Sequence, residues 1–178
     1  MSKAVLISIR PKWCELIASL DKTIEVRKSR PKIETPFKCY IYCTKPSYEY
    51  EDFIALDNGS FIYGGGKVIG EFVCDRIIDW HYIPDPDESA DPGSMAYDVL
   101  TVDGEKTGLE YDDFEDYGKG APLYGWHISN LVIYDEPKKL SEFHSCSFCD
   151  YRGVCPDGSW CQPLKRPPQS WCYVEELE

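Results

Sequence analysis

The chain has 178 residues, of which 43% are hydrophobic and 14% aromatic, with a net charge of −12. That length suits a single domain burying roughly two-thirds of its unfolded surface, and the apolar content excludes a disordered polypeptide. No run reaches the ~18 apolar residues of a membrane span, and the acidic balance opposes indiscriminate binding to polyanions, whose affinity comes from cationic neutralisation.

The charge is unevenly spread. Residues 1–32 hold eight basic groups (Lys3, Arg10, Lys12, Lys22, Arg27, Lys28, Arg30, Lys32) against three acidic ones (Glu15, Asp21, Glu25), a balance of +5 that leaves −17 for the rest. A basic patch on an acidic body can select one anion while the body repels long duplexes, although a solvated basic face has the same composition. The opening residues carry too short an apolar run for an export signal, so a cytoplasmic protein is expected. In that compartment the nine cysteines are thiols or metal ligands rather than a disulfide framework.

Taken in order, Val5-Leu6-Ile7-Ser8-Ile9 is a β-branched apolar run ended by Arg10-Pro11. Pro11 suits the first position of a helix that buries Trp13, Ile17 and Leu20 on one face. Thr23 to Arg27 alternates with period two, placing Ile24 and Val26 on one face and Thr23, Glu25 and Arg27 on the other, with Lys22 at the entrance. Phe37 to Cys43 is a further strand. Gly64-Gly65-Gly66 lacks the Gly-Lys-Ser/Thr ending and following helix of a phosphate loop and reads as a hairpin turn. The run from Lys67 to Tyr82 then predicts one long strand, bent near Gly70.

From Asp85 to Asp116 there are twelve acidic residues and one Lys, interrupted by Pro86, Pro92, Gly93 and Gly104, which predicts an exposed excursion over 85–118. Its end, about Leu109 to Tyr117, predicts a short helix. The cluster Asp112, Asp113, Glu115 and Asp116 lacks the spacing of a calcium loop and reads as a solvated acidic face. Leu123 to Tyr134 and Ser170 to Glu175 restore the strand pattern. The sum is a single α+β, mainly β domain over 1–178, with about six strands and two small helices, expected as a closed barrel rather than a sandwich.

Between the last two strands lies a Cys-rich insertion over 144–163 that contains Cys146, Cys149, Cys155 and Cys161, spaced Cys-x2-Cys-x5-Cys-x5-Cys. Four soft ligands with glycines between them suit tetrahedral Zn²⁺ in a closed, structural site. An Fe–S cluster uses the same ligands, and free thiols or a redox pair remain the alternative. A metal gives so short an insertion a reason to be ordered. The histidines, His81, His127 and His144, leave few candidates for a two-histidine nuclease, and His127 either reaches the working surface or sits partly buried with a partner.

Ser8-Ile9-Arg10-Pro11, a helix, and then Lys22-Thr23-Ile24-Glu25-Val26-Arg27 resemble the ASCH domain family of the PUA-like superfamily, with Asp21 close to where the family usually has Gly. Gly66 to Phe72 and Gly125 to Ile128 are further matches to the family, and the closing Arg166 to Val174 resembles its bacterial and prophage members. The resemblance implies a PUA-like pseudo-β-barrel with a cleft for RNA or a nucleotide-sized anionic ligand. Ser8, Arg10, Lys12, Lys22, Glu25, Arg27, Trp126 and Ser170 are the expected contacts. Lys22 and Arg27 can hold a phosphate or base edge, Glu25 can accept from an exocyclic amine, and Trp126 or Trp171 can stack on a base or serve the core.

Some ASCH-like proteins are amidohydrolases that deacylate N4-acetylcytidine, and others have been described as ribonucleases. The amidohydrolases use a Lys, a Thr three positions later and a distant Glu. Lys22 matches the Lys, but Glu25 stands where the Thr belongs, and Thr23 is two positions early. A hydrolase reading therefore uses Lys22 with Glu25 as base on water, or with Thr23 as nucleophile. The binding reading needs neither step.

Overall fold

The computed structural model describes residues 2–46, 53–56, 59–80, 101–102, 105–109, 111–145 and 162–177. It opens with β1 (Lys3–Ile9), whose unbroken apolar run has a simple cause: both faces of the strand are buried. Val5, Ile7 and Ile9 enter the main core, whereas Ala4 and Leu6 enter a second cluster with Tyr40, Tyr42, Phe143 and Val174. A strand covered on both sides loses the polar alternation of a surface strand.

Pro11 starts α1 (Pro11–Ala18), where its missing N–H leaves no helix bond unmade. The helix buries Cys14 and Ile17 and lays Trp13 against the same core. Leu20, by contrast, is 53% exposed and takes a left-handed φ of 59°, so it ends the helix rather than packing it. The Lys22 N–H then bonds Leu16 O at 2.8 Å, turning the chain into β2 (Ile24–Arg27).

The next strands are β3 (Phe37–Cys43), β4 (Phe53–Ala55), β5 (Phe61–Tyr63), β6 (Lys67–Cys74) and β7 (Ile77–Trp80). A small ribbon follows, β8 (Thr101–Val102) with β9 (Glu105–Lys106), and then α2 (Tyr111–Gly118), β10 (Leu123–His127), β11 (Ser129–Lys139) and β12 (Trp171–Glu175). One sheet has the order β11-β6-β3-β1-β12 and a second the order β2-β10-β7. Only β1 and β3 are parallel within these sheets, so their C-terminal ends open at one edge, joined by the Thr44 N–H to Ile9 O at 2.8 Å.

The barrel is a pseudo-barrel of two sheets and does not close, contrary to the closed form expected. Two runs expected as single strands change sheet part-way. The first breaks after Cys74, sending β6 to the large sheet and β7 to the small one. The second breaks at Ile128, whose N–H bonds Thr23 O at 2.8 Å, leaving β10 beside β2 and β11 beside β6. Apolar periodicity cannot see such a corner, because the residues on either side remain buried. The bend expected near Gly70 is a bulge. Ile41 and Tyr42 pair with Gly70 and Val68, leaving Ile69 extra, and any Cβ on Gly70 would stand 2.3 Å from the Val132 carbonyl oxygen.

The end of the acidic stretch packs rather than projecting. Phe114 of α2 is fully buried, 5.1 Å ring to ring from Trp80, in a cluster with Val26 and Leu123. The acidic stretch from 85 to 100 lies outside the described residues, as do Cys146, Cys149, Cys155 and Cys161. The flanks of the Cys-rich insertion are pinned together by the Ser145 N–H to Gln162 O at 3.0 Å and the Leu164 N–H to Phe143 O at 2.8 Å. Among the described residues, no helix is long and apolar enough to cross a membrane.

Candidate functional site

Where β1 and β3 end, a cleft of about 680 Å³ opens. That size lies within the ~300–1,000 Å³ of small-ligand sites. Its floor comes from Ser8 and Ile9 at the end of β1 and from Glu25, Val26 and Arg27 of β2. Arg10 and Trp13 of the α1 region form one side, Leu109, Asp113 and Tyr117 another, and Pro167 to Ser170 a third.

Three charged groups meet on this floor. Arg27 Nη2 lies 3.0 Å from Glu25 Oε1, and Lys22 Nζ 3.4 Å from Glu25 Oε2, with the Lys22, Glu25 and Arg27 side chains only 2%, 6% and 12% exposed. Arg27 Nη2 also donates to Ser8 O at 2.5 Å, and Lys22 Nζ donates to Thr107 O. The Lys22 ammonium stands 5.3 Å from the centre of the Trp13 ring. Burial pushes its pKa below the ordinary lysine value; the Glu25 carboxylate opposes that shift and Arg27 adds to it.

The cluster is not fully satisfied by the protein. Arg27 Nε and Glu25 Oε2 are buried without a hydrogen-bond partner among the described residues, the Lys22 contact to Oε2 being an ion pair rather than an aligned bond. Unmet donors and acceptors in a desolvated place are costly, about 1–3 kcal/mol each, unless a bound molecule completes them.

Ser8, Arg10, Lys22, Glu25, Arg27 and Ser170 line one cleft. Ser8 and Ser170 do so while holding the walls together: Ser8 Oγ donates to Pro168 O at 2.7 Å, and the Ser8 N–H to Ser170 O at 2.9 Å. Lys12 is displaced into an adjoining groove, its ammonium 4.7 Å from the Trp13 ring centre.

Three residues for which a ligand or nucleophile role was one expected alternative stand away from the cleft. Trp126 is fully buried in the core against Phe37 at 5.7 Å and Trp171 at 5.9 Å, so its ring is closed to a ligand. Trp171 donates its indole N–H to Ser29 Oγ at 3.0 Å and does not line the cleft. Thr23 is turned to the β9 segment, where its Oγ1 accepts the Lys106 N–H at 2.8 Å, so its hydroxyl secures the segment carrying Thr107 rather than facing Lys22. His127 is also away from the cleft, paired through Nδ1 with Asp75 Oδ1 at 2.5 Å where the chain changes sheet.

The aromatic rings that do line the cleft are Trp13 and Tyr117, neither of which sequence reasoning assigned to a ligand. Lys28 lies 4.9 Å from the Tyr117 ring centre, a cation–π contact hidden from a linear reading by the separation in sequence. The described cysteines, Cys14, Cys39, Cys43, Cys74 and Cys172, are free thiols. Burial pushes Cys74 up to about 12 and Cys172 up to about 11, the state of inert core thiols. Among the described residues no group of three or more His, Cys, Asp or Glu is arranged to hold a metal.

The two-sheet pseudo-barrel has solved counterparts. The crystal structure of ASCH from Zymomonas mobilis matches with a TM-score of 0.52 at 17% identity, covering 92% of this chain and 88% of that one. A point mutant of the same protein matches at 0.51 and 16%, over 92% and 91% of the two chains. The chain has the ASCH fold. No family model and no curated protein sequence matches it. At such identity the ASCH likeness carries the architecture, and the chemistry rests on the cleft's own residues.

Proposed function

We propose that the cleft binds RNA or a modified nucleotide. The observation that carries this reading is the desolvated Lys22–Glu25–Arg27 cluster, in which the Arg27 Nε–H has no hydrogen-bond partner among the described residues and Glu25 Oε2 is held only by the Lys22 ion pair, beside a nucleotide-sized cleft. A ligand with both an acceptor and a donor completes it: a phosphate or base carbonyl toward Arg27, and an exocyclic amine toward Glu25. Trp13 and Tyr117 on the lining supply aromatic surface for contact with a base. The test is calorimetric titration with cytidine and adenosine monophosphates and their N-acylated forms. Saturable binding that weakens at least ten-fold in Arg27→Ala supports the reading; equal heats for the two proteins, or none, reject it.

A hydrolase acting on an acylated nucleoside or on RNA is the second reading, favoured by one observation. Lys22 is buried against a carboxylate with its pKa lowered, an arrangement found where proton transfer is tuned. The Thr23 Oγ1 accepts the Lys106 N–H, which favours Glu25 acting on water over Thr23 as the nucleophile. Acetate released from N4-acetylcytidine by the wild type but not by Lys22→Met supports this reading, and no product at high enzyme concentration removes it.

For the Cys-rich insertion we propose a structural zinc ion on Cys146, Cys149, Cys155 and Cys161, supported by ligand type and spacing. About one equivalent of zinc in the purified protein is the expected result; less than ~0.2 equivalents with no iron rejects it.

A further inference from the structure

The hairpin of β4 and β5 has two apolar faces, and the fold uses one. Ile54 and Ile62 point into the main core. The opposite face carries Phe53, Phe61 and Tyr63, which are 43%, 57% and 53% exposed. These rings form a continuous aromatic surface, with Phe53 centred 4.6 Å from Tyr63 and 5.3 Å from Phe61, and Phe61 6.0 Å from Tyr63. Exposed aromatics are unfavourable in water, so a cluster of three calls for an occupant.

The surroundings of this surface indicate which occupant. A groove of about 1,040 Å³ runs from Phe53 past Lys45 and Lys12 to Arg10 and Trp13, and its lining shares Arg10, Trp13, Thr44 and Asp113 with the cleft. Lys45 is placed by a backbone device. Its alkyl stem lies across Gly66, where a Cβ would meet the Lys45 Cε at 3.0 Å and Cγ at 3.2 Å, and the φ of +79° favours glycine. Gly66 thus leaves room for the Lys45 stem, and Lys45 lines the groove together with Phe53. Cations spaced along a groove beside exposed ring faces match a chain of phosphates and bases, whereas an apolar protein segment brings them no counter-charge. Glu15 and Asp113 on the same lining supply acceptors for base amino groups.

We propose that the β4–β5 aromatic face and the Arg10–Lys12–Lys45 groove bind the nucleotides flanking the one held in the cleft, so that the ligand is a single-stranded polynucleotide rather than a free nucleotide. The inference rests on the cleft reading and adds length and strandedness to it. One nucleotide occupies the cleft, its neighbour's phosphate lies along Arg10 and Lys12, and the next bases stack on Phe53 and Phe61.

The experiment compares a fluorescein-labelled mixed-sequence octaribonucleotide with unlabelled nucleoside monophosphates as competitors. The octamer is expected to bind at least ten-fold tighter than any monophosphate. Phe53→Ala with Phe61→Ala is expected to abolish that gain while leaving monophosphate affinity unchanged, and Lys45→Glu to act in the same direction. Both rings are exposed, so an unchanged melting temperature confirms that the variant folds. A length advantage that survives all three substitutions overturns the inference and leaves the cleft reading standing. A dimer in sedimentation that the double Phe variant converts to monomer gives the face to a second copy and also overturns it. If Arg27→Ala leaves monophosphate binding intact while the hairpin variants still weaken the octamer, the cleft reading fails and the aromatic surface stands.

Discussion

Two clusters of three charges sit in different parts of this molecule, and their difference explains why only one has the character of a site. In the cleft, one carboxylate, Glu25, lies between two cations, Lys22 and Arg27, all three nearly buried. Elsewhere one cation, Lys38, lies 3.2 Å from each of two carboxylates, Glu71 and Glu176, with side chains 27%, 25% and 32% exposed. There Tyr134 Oη donates to Glu71 at 2.5 Å and Ser2 Oγ donates to Glu176, while water reaches what is left. Partly solvated, the Lys38 cluster ties strands together and asks for no ligand. Desolvated and incompletely bonded, the Glu25 cluster is positioned to take one.

The sharpest way to break the comparison is to remove the central group of each cluster. Glu25→Ala leaves two buried cations unpaired and is expected to cost about 3–5 kcal/mol in urea unfolding. Lys38→Ala leaves two carboxylates that water can reach and is expected to cost about 1 kcal/mol or less. Equal losses would mean that burial does not separate the clusters. Next in size is Arg27→Lys, which keeps the charge but cannot reproduce the bonds to both Glu25 and Ser8 O. Calorimetry should show nucleotide affinity reduced by about ten- to a hundred-fold, the worth of one charge-assisted bond.

The two lysines should also respond to alkali with opposite signs. Lys22 has its pKa lowered by burial below the ordinary 10.5, so between the lowered value and 10.5 the unfolded chain binds more protons. The stability of wild type relative to Lys22→Met should rise with pH across that window. Burial alone lowers Lys38 too, but Glu71 and Glu176 outweigh it and raise its pKa. Its contribution should be fully present below 10.5 and fade as the pH passes the raised value, so wild type relative to Lys38→Met should lose stability there. Denaturant midpoints measured for the three proteins between pH 8 and pH 11 check both slopes. Smallest is Thr23→Val, which removes the acceptor for the Lys106 N–H. It is expected to cost about 1 kcal/mol and to speed hydrogen exchange at Lys106, with the Lys38 cluster unmoved.

The strand Ile24–Arg27 and the cations around it were legible because alternation fixes which side chains share a face, and because Pro11 marks the helix that delivers Lys22. Alternation alone could not decide whether Trp126 faces a ligand or the core. Trp126 pairs with Glu25 in register and shares its face, but that face runs from the cleft floor into the core, and alternation carries no depth. Leu109, Asp113 and Tyr117 were hidden by composition: a stretch dominated by carboxylates reads as solvent-facing, while the single ring of Phe114 docks it. Leu20 was assigned to the helix face by its apolarity, yet it holds the left-handed turn that glycine would suit. The exposed side of the β4–β5 hairpin could not be read as exposed, because nothing local distinguishes Phe53 from Ile54.

Ser8 has a consequence for how the molecule comes into being. Its hydroxyl and N–H reach the wall at Pro168 and Ser170, 160 positions away for Pro168, while its carbonyl oxygen holds Arg27. A ribosome delivers the Arg27 side of this junction early and the Pro168 side late. Until β12 arrives, β1 has a free edge and the cleft lacks a wall, so a nascent chain can carry the charged cluster long before it can enclose anything. If the cleft binds the proposed ligand, its affinity is therefore a readout of the docking of β12 as much as of the residues lining the cleft.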